Sequence, residues 1–511
     1  MNVMSNANAA FYFVDRHIGT PTANKPAFVE GREGGRQITY GELAAQSDLM
    51  ADLLARRGLR REDRVAMLVL DTIEFPVIFW GTIKAGIIPV PLNTMLGTDV
   101  YRAILRDARP RALIVSSALL PMVAPLLDEI DDLVVMTIGE SAGFPELNAE
   151  LRQCKPTPMV TAASDEVAFW LYSSGSTGRP KGVLHVHSSL QATSDTYGAQ
   201  VLGIGPDDVI FSAAKMFFAY GLGNAMSFPM SVGATTVLWD SRPTPDAMFA
   251  VMLRHSPTIF CGVPTLYAAM LAQIDGVRPA WADGIRLSLS AGEALPAEIG
   301  NNWAALVGSD ILDGVGSTEL LHIFLSNAPG NVEYGTSGIA VPGYDMKLVD
   351  DGGQTVETGE IGELIVRAPS AAEGYWNQRD KSRATFAGFW THTGDKYTQR
   401  SDGRYIYCGR TDDLFKVSGI WVSPFEVEQA LISHAAVLEA AVVAHQDDAG
   451  LDKPKAFVVL NAGMSGDPLA DELKDLVKTA IGKWKYPRWI EIVDELPKTA
   501  TGKIQRFKLR G

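Results

Sequence analysis

Leu43, Met50, Leu53 and Leu54 recur at helical spacing and stop before Gly58, and Thr39 with Glu42 sets a capping-box pattern ahead of them. That pattern predicts a helix, because the threonine hydroxyl and the glutamate carboxylate can each satisfy an orphan N–H at its start. Arg64 to Leu70 (RVAMLVL) follows as a continuous apolar run of buried-strand type. A second helix is predicted over roughly Thr72 to Ala85, closing at Gly86. The strand-like runs Ala112 to Val115 and Leu133 to Ile138 flank an apolar helix around Leu119 to Ile130. Helices alternating with unbroken apolar strands indicate parallel α/β layers, in which each strand is covered on both faces. The same texture recurs in Val209 to Tyr220, Ala234 to Leu238, Thr258 to Met270 and Ile285 to Ser290.

After about Gly335 the pattern changes. Gly, Asp and Glu turns punctuate short alternating strands such as Gly362 to Arg367 (GELIVR), which predicts an antiparallel sheet or barrel closing the large region. Gly409 to Asp413 (GRTDD) is charged and lacks apolar periodicity. Beyond it strand and helix alternate compactly through Ala441 to Ala444, Ala456 to Leu460, Leu469 to Ile481 and Ile490 to Val493. The expected fold class is α/β: residues 1–410 as a large N-terminal domain of layered α/β subdomains plus a β-barrel-like subdomain, and 411–511 as a small C-terminal α+β domain.

Composition narrows the partners. A chain of 511 residues exceeds the size at which single cores stop growing, so more than one domain is expected. The formal charge of −14 disfavours nucleic acid or an anionic membrane surface as the main partner, so anionic ligands must be met by local groups. Cys154, Cys261 and Cys408 are widely spaced and form neither a disulfide framework nor a zinc pattern, which fits a reducing cytoplasm. Met1 to Ala10 lacks the basic-then-apolar pattern of a signal peptide. The most apolar region, Val65 to Leu92, is interrupted by Asp71, Glu74 and Lys84, so no membrane span is expected.

The candidate chemistry begins at Tyr172 to Gly182 (YSSGSTGRPKG), directly after the apolar run Val167 to Leu171. A strand there runs into a loop in which Gly175, Gly178 and Gly182 free the backbone N–H groups to face an anion. Ser173, Ser174, Ser176, Thr177 and Lys181 add donors and charge, so the loop is read as a grip on the phosphates of ATP. It is not a Walker A loop, because Pro180 precedes Lys181 and Gly182 follows it. Asp313 to Glu319 (DGVGSTE) sets a hydroxyl and a carboxylate in a Gly-rich turn, and Glu319 suits Mg²⁺ shared with phosphate oxygens. Ser290 to Pro296, with Gly292, Glu293 and Ala294, offers backbone to lie against a flat base. Asp395 in Thr391 to Asp395 (THTGD) can accept from two ribose hydroxyls.

Taken in order and spacing, YSSGSTGRPKG, GSTE, HTGD, GRTDDLFKVSG and PKTATGKIQR resemble the adenylate-forming superfamily of acyl-CoA synthetases, adenylation domains and luciferases over nearly the whole chain. The resemblance implies a mobile C-terminal domain and a two-step reaction. ATP and a carboxylate give an acyl-adenylate and pyrophosphate, and thiol attack then releases AMP. It assigns Lys181 to the phosphate loop, Thr318 to phosphate contact, Glu319 to Mg²⁺, Asp313 and Gly314 to the nucleotide, and Asp395 with Arg410 to the ribose. Asp412 becomes the hinge, Lys503 the adenylation lysine, Lys416 a second cation for phosphate or carboxylate, and Gly419 the site where a pantetheine arm passes. One departure is that Val315 stands where many relatives stack an aromatic residue on adenine.

Within the superfamily, Phe217 to Asn224, Ser290 to Pro296 and Leu321 to Phe324 look like the benzoate and 4-hydroxybenzoate CoA ligases. Ala219, Tyr220, Gly262, Gly316, His322 and Ile323 are the pocket residues this implies. Phe217, Phe218, Tyr220 and Tyr267 are expected to close a short pocket around a small aromatic acid, while Cys261 is expected to be core. The implied cofactors and substrates are ATP, Mg²⁺ and coenzyme A, and a homodimer is left open. Two alternatives stand beside this expectation: loading of a carrier protein's phosphopantetheine, and a nucleotide-binding regulator without catalysis.

Overall fold

The computed structural model describes residues 6–174, 180–411, 413–417, 420–447, 451–461, 469–498 and 504–510. The chain divides into two compact units, Met1–Asp345 with Val366–Thr391, and Met346–Ile365 with His392–Gly511.

The first unit is organised on a nine-stranded sheet. Its order is Ile339–Ala340, Ile323–Ser326, Ile311–Gly316, Leu287–Ala291, Ile259–Gly262, Val209–Ser212, Thr235–Leu238, Pro26–Glu30 and Gln37–Thr39. The strands from Ile311–Gly316 to Pro26–Glu30 are parallel neighbours, and the remaining edge pairings are antiparallel. Every residue of Ile259–Gly262 and Leu287–Ala291 is buried, Ser288 and Ser290 included, as expected of strands in a parallel sheet covered on both faces. Gly262 lies opposite Ser290 and Ala291 opposite Gly314, so these strands finish along one edge, where open parallel sheets bind their ligands.

A second, four-stranded parallel sheet joins Ile88–Pro91, Arg64–Leu68, Ala112–Ser116 and Val134–Ile138. A three-stranded antiparallel sheet joins Val167–Ser174, Pro180–Val186 and Gly374–Tyr375. The helix Tyr40–Arg56 carries the expected capping box: the Thr39 hydroxyl accepts from Glu42 N, and the Glu42 carboxylate accepts from Thr39 N.

Two expected elements are broken differently. The stretch around Leu119 to Ile130 is a short α-turn, Leu120–Val123, between the 3₁₀ turns Ser117–Leu119 and Ala124–Glu129. Pro121 and Pro125 each remove an N–H that one continuous helix would need. Val209 to Tyr220 is strand only to Ser212, and the chain then passes through the helical turn Ala219–Leu222 into a π-helix, Gly223–Ser227.

In the second unit, Val437–Gln446 pairs antiparallel with Asp452–Leu460, which pairs parallel with Trp489–Ile492. The helices Pro424–Ile432 and Leu469–Ile481 bury Val427, Leu431, Leu473 and Val477 in its core. The same unit holds an antiparallel pairing of residues 395–399 with Tyr405–Arg410. No described helix is long and apolar enough to cross a membrane.

Candidate active site

The strands on either side of the expected phosphate loop pair antiparallel: Ser173 pairs with Lys181 and Ser174 with Pro180 across Val167–Ser174 and Pro180–Val186. Lys181 Nζ lies 3.8 Å from Glu319 Oε1, 3.5 Å from the Tyr375 hydroxyl and 4.6 Å from the centre of the Tyr375 ring. That hydroxyl donates to Glu319 Oε1 at 2.7 Å. Glu319 reaches this position because Ser317 to His322 is the turn of a second hairpin, in which Gly316 pairs with Ile323. A side chain on Gly316 would meet the His322 carbonyl oxygen at 2.7 Å, so this close approach requires glycine. Among the described residues, no group of three or more His, Cys, Asp and Glu side chains is arranged to hold a metal by itself. One carboxylate beside a hairpin expected to bind phosphate suits Mg²⁺, which takes few protein ligands and shares phosphate oxygens.

On the strand that leads into this turn, Ile311–Gly316, Asp313 is buried, and its Oδ2 accepts from Leu295 N at 3.4 Å. Its Oδ1 meets no donor in hydrogen-bond geometry among the described residues, and burial pushes the carboxyl up to about 8. Leu295 belongs to the loop that leaves Leu287–Ala291 through Gly292 (φ 96°), Glu293 and Ala294, which brings the expected base-binding segment against Asp313.

His322 forms the centre of an aromatic cage. Its ring lies 4.5 Å from Phe228, 5.5 Å from Tyr197 and 5.8 Å from Tyr220, centre to centre. Its Nε2 is 3.2 Å from the Tyr220 carbonyl oxygen. A carbonyl can only accept, so Nε2 carries the proton and Nδ1 presents a lone pair. That Nδ1 and the Tyr220 hydroxyl are buried without a hydrogen-bond partner among the described residues. Burial lowers the imidazole to about 3, so His322 is neutral at physiological pH. A side chain on Gly223 would lie 2.3 Å from His322 Cδ2, so the glycine at the start of the π-helix makes room for the ring. Ala219 and Tyr220 open the helical turn that faces His322 through the Tyr220 carbonyl, and Ile323 follows His322 as the first residue of its strand.

In the second unit, Asp395 and Arg410 face one another across the strands, with Arg410 Nη1 2.9 Å from Asp395 Oδ1 and also donating to the Thr393 carbonyl at 2.9 Å. Gly394 (φ 70°) turns the chain there, and a side chain on it would lie 2.7 Å from Arg410 Nη2.

An AMP-binding enzyme family model matches residues 15–376, and an AMP-binding enzyme C-terminal domain model matches 426–503. The chain belongs to the AMP-binding enzyme family. This AMP-binding enzyme is 53% identical over 509 residues to a 4-hydroxybenzoate–CoA/benzoate–CoA ligase of Rhodopseudomonas palustris, covering 98% of this chain and 94% of that protein. It is 50% identical over 510 residues to a benzoate–CoA ligase of Thauera aromatica, covering 98% and 95%. A solved benzoate CoA ligase from Burkholderia xenovorans LB400 superposes with a TM-score of 0.91 at 47% identity, covering 99% of this chain and all of that one.

Of the residues expected from the sequence of this AMP-binding enzyme, Lys181 meets Glu319, Tyr220 meets His322, and Asp395 meets Arg410. Thr318 lies in the same turn as Glu319. Gly262 ends its strand with the Tyr267 ring packed on its α-carbon. Tyr267 itself is core rather than pocket wall: its hydroxyl donates to the Leu289 carbonyl at 2.8 Å and its ring packs on Phe260 and Trp303. Cys261 is fully buried, as expected of a core thiol. Gly175, Ser176, Thr177, Gly178, Asp412, Gly419 and Lys503, and the side chains of Ser174 and Lys416, lie outside the described residues. Tyr375 and Tyr197 were not anticipated. The Gly374-Tyr375-Trp376 run was the available signal for the first, while Tyr197 sits in a π-helix, Ser194–Val201, whose register an α-helical pattern search misses.

Proposed function

We propose that this chain ligates benzoate, or a monosubstituted benzoate such as 4-hydroxybenzoate, to coenzyme A through an acyl-adenylate, releasing AMP and pyrophosphate. The near-full-length likeness to two ligases of those acids carries the proposal. The aromatic cluster of His322, Tyr197, Tyr220 and Phe228 supports it, being buried, apolar and provided with few polar atoms.

The residue roles proposed are those that the family resemblance implies. Lys181, Thr318 and the Ser173 to Gly178 loop take the phosphates, Gly292 to Ala294 with Asp313 and Gly314 take the base, and Asp395 with Arg410 takes the ribose. Glu319 would hold Mg²⁺, whose chemistry is to offset phosphate charge. A benzoate carboxylate attacking the α-phosphorus brings one anion toward another, and Lys503, with Lys416, neutralises that approach. Such a preorganised donor is worth roughly 10² to 10³-fold. Residues 411–511 then swing about Asp412, withdrawing Lys503 and bringing Gly419 beside the adenylate, where a pantetheine arm can pass close to the backbone. The free thiols Cys154, Cys261 and Cys408 support a cytoplasmic setting.

The test is the initial rate of pyrophosphate release, with CoA present, across benzoate, 4-hydroxybenzoate, 2-aminobenzoate, cyclohexanecarboxylate and decanoate. The expected result is turnover of the benzoates at least about tenfold above decanoate in kcat/KM. Comparable values for decanoate and benzoate contradict the proposal, and faster thioester formation on a carrier protein than on CoA would reassign the acceptor.

A further inference from the structure

Glu319 and Lys181 come from two different hairpins, and one short segment fastens both. Ala372 N donates to the Glu319 carbonyl oxygen at 2.9 Å, and Ser370 Oγ donates to the Leu320 carbonyl oxygen at 2.8 Å. Three residues on from Ala372, Tyr375 pairs with Val183 and Gly374 with Leu184, extending the phosphate hairpin by one strand. The Trp376 N–H donates to Gly182 O at 2.8 Å, directly beside Lys181. The Ser370 to Trp376 segment therefore ties the carboxylate turn and the phosphate hairpin to the same piece of backbone.

At its centre, Tyr375 is buried, and its hydroxyl donates to Glu319 Oε1 at 2.7 Å. A hydroxyl has one proton to give. Directing it to Oε1 fixes the rotation of the carboxylate, and Lys181 Nζ can donate to the same hydroxyl oxygen at 3.5 Å. Tyr375 thus stands between a cation and an anion, donating to one and accepting from the other. In a partly dehydrated place such a hydrogen bond to a charged group is worth more than a neutral one.

We infer that Tyr375 is a positioning residue that orients the Glu319 carboxylate for a cation carried in with the nucleotide phosphates, and that it acts through Glu319 rather than by touching the reacting atoms. This rests on the proposed function, in which Glu319 serves Mg²⁺. Tyr375→Phe removes only the hydroxyl and leaves the ring over Lys181 and the strand pairing in place.

Calorimetric titration of ATP into the protein without any acid, with and without Mg²⁺, reads the effect apart from turnover. In the wild type Mg²⁺ should strengthen ATP binding. Tyr375→Phe should lose about tenfold of Mg²⁺–ATP affinity while binding Mg²⁺-free ATP within twofold of the wild type. Glu319→Gln should lose the Mg²⁺-dependent gain by itself, and adding Tyr375→Phe to it should change nothing more. Two results overturn the inference: Mg²⁺-dependent binding unchanged in Tyr375→Phe, or an equal loss with and without Mg²⁺, which marks a purely structural role. A wild type that forms no benzoyl-adenylate overturns the proposed function instead, and the two failures are told apart by the wild-type control.

Discussion

The end of the first unit proposed to take the phosphates and the end proposed to take the acid follow opposite electrostatic plans. At the phosphate end, Lys181 and Glu319 keep 18% and 17% of their side-chain surface exposed and are balanced by each other and by Tyr375. At the other end, His322 is 2% exposed, uncharged and boxed by three aromatic rings, and its Nδ1 has no partner among the described residues. The difference follows from desolvation. Full charges can remain only where water or an opposite charge attends them, whereas a neutral ring can be taken deep into the fold. The charged end therefore suits what every substrate pair shares, the nucleotide phosphates. The neutral end is the one proposed to discriminate, because a buried polar atom rewards a ligand that satisfies it and penalises one that does not.

The largest expected break in this contrast is Gly223→Ala. Its new methyl would stand 2.3 Å from His322 Cδ2 and 2.5 Å from Nε2, so the imidazole must leave its hydrogen bond to Tyr220. A displacement of that kind beside the substrate should cost about 10²-fold in kcat/KM for benzoate. ATP binding by calorimetry should stay within twofold, since the phosphate hairpin is on other strands. A benzoate kcat/KM close to wild type would show that the cage does not depend on the His322 position.

A smaller effect concerns pH. His322 and His185 are each lowered to about 3 by burial, against 6.5 when unfolded. Between those values each of these histidines binds more protons in the unfolded chain than in the folded one, so the stability they contribute is full above pH 6.5 and is lost as pH drops toward 3. Each such histidine contributes a slope of up to about 1.4 kcal/mol per pH unit. Denaturant midpoints of the wild type and His322→Gln at pH 7, 6 and 5 should diverge, with the variant losing less stability on acidification. Parallel curves would mean that the imidazole is not held neutral in the folded state.

Much of the site was legible from sequence because its signals are local. The apolar run before YSSGSTGRPKG marks a strand entering a loop, Thr39 and Glu42 are three residues apart in a capping box, and GSTE places a carboxylate in a turn. What could not be read is long-range. Tyr375 lies 194 positions from the Lys181 it contacts, and the cage around His322 draws Tyr197, Tyr220 and Phe228 from stretches over a hundred or nearly a hundred residues upstream. Tyr267 was misplaced for a related reason. An aromatic residue after a Gly-Val-Pro turn can face a ligand or the core, and only the Leu289 carbonyl on the neighbouring strand decides between them.

The contrast between the two ends is tested most directly by crossing one substitution at each with both substrates. Pyrophosphate release is measured for wild type, His322→Ala and Glu319→Gln over a matrix of ATP and acid concentrations, with benzoate and with 4-hydroxybenzoate. His322→Ala should shift the kcat/KM ratio between the two acids by about tenfold with the KM for ATP within twofold of wild type. Glu319→Gln should lower turnover of both acids by the same factor, raise the KM for ATP and leave their ratio unchanged. If His322→Ala moves the ATP KM as much as the acid ratio, or Glu319→Gln re-ranks the acids, the two ends do not divide recognition between them.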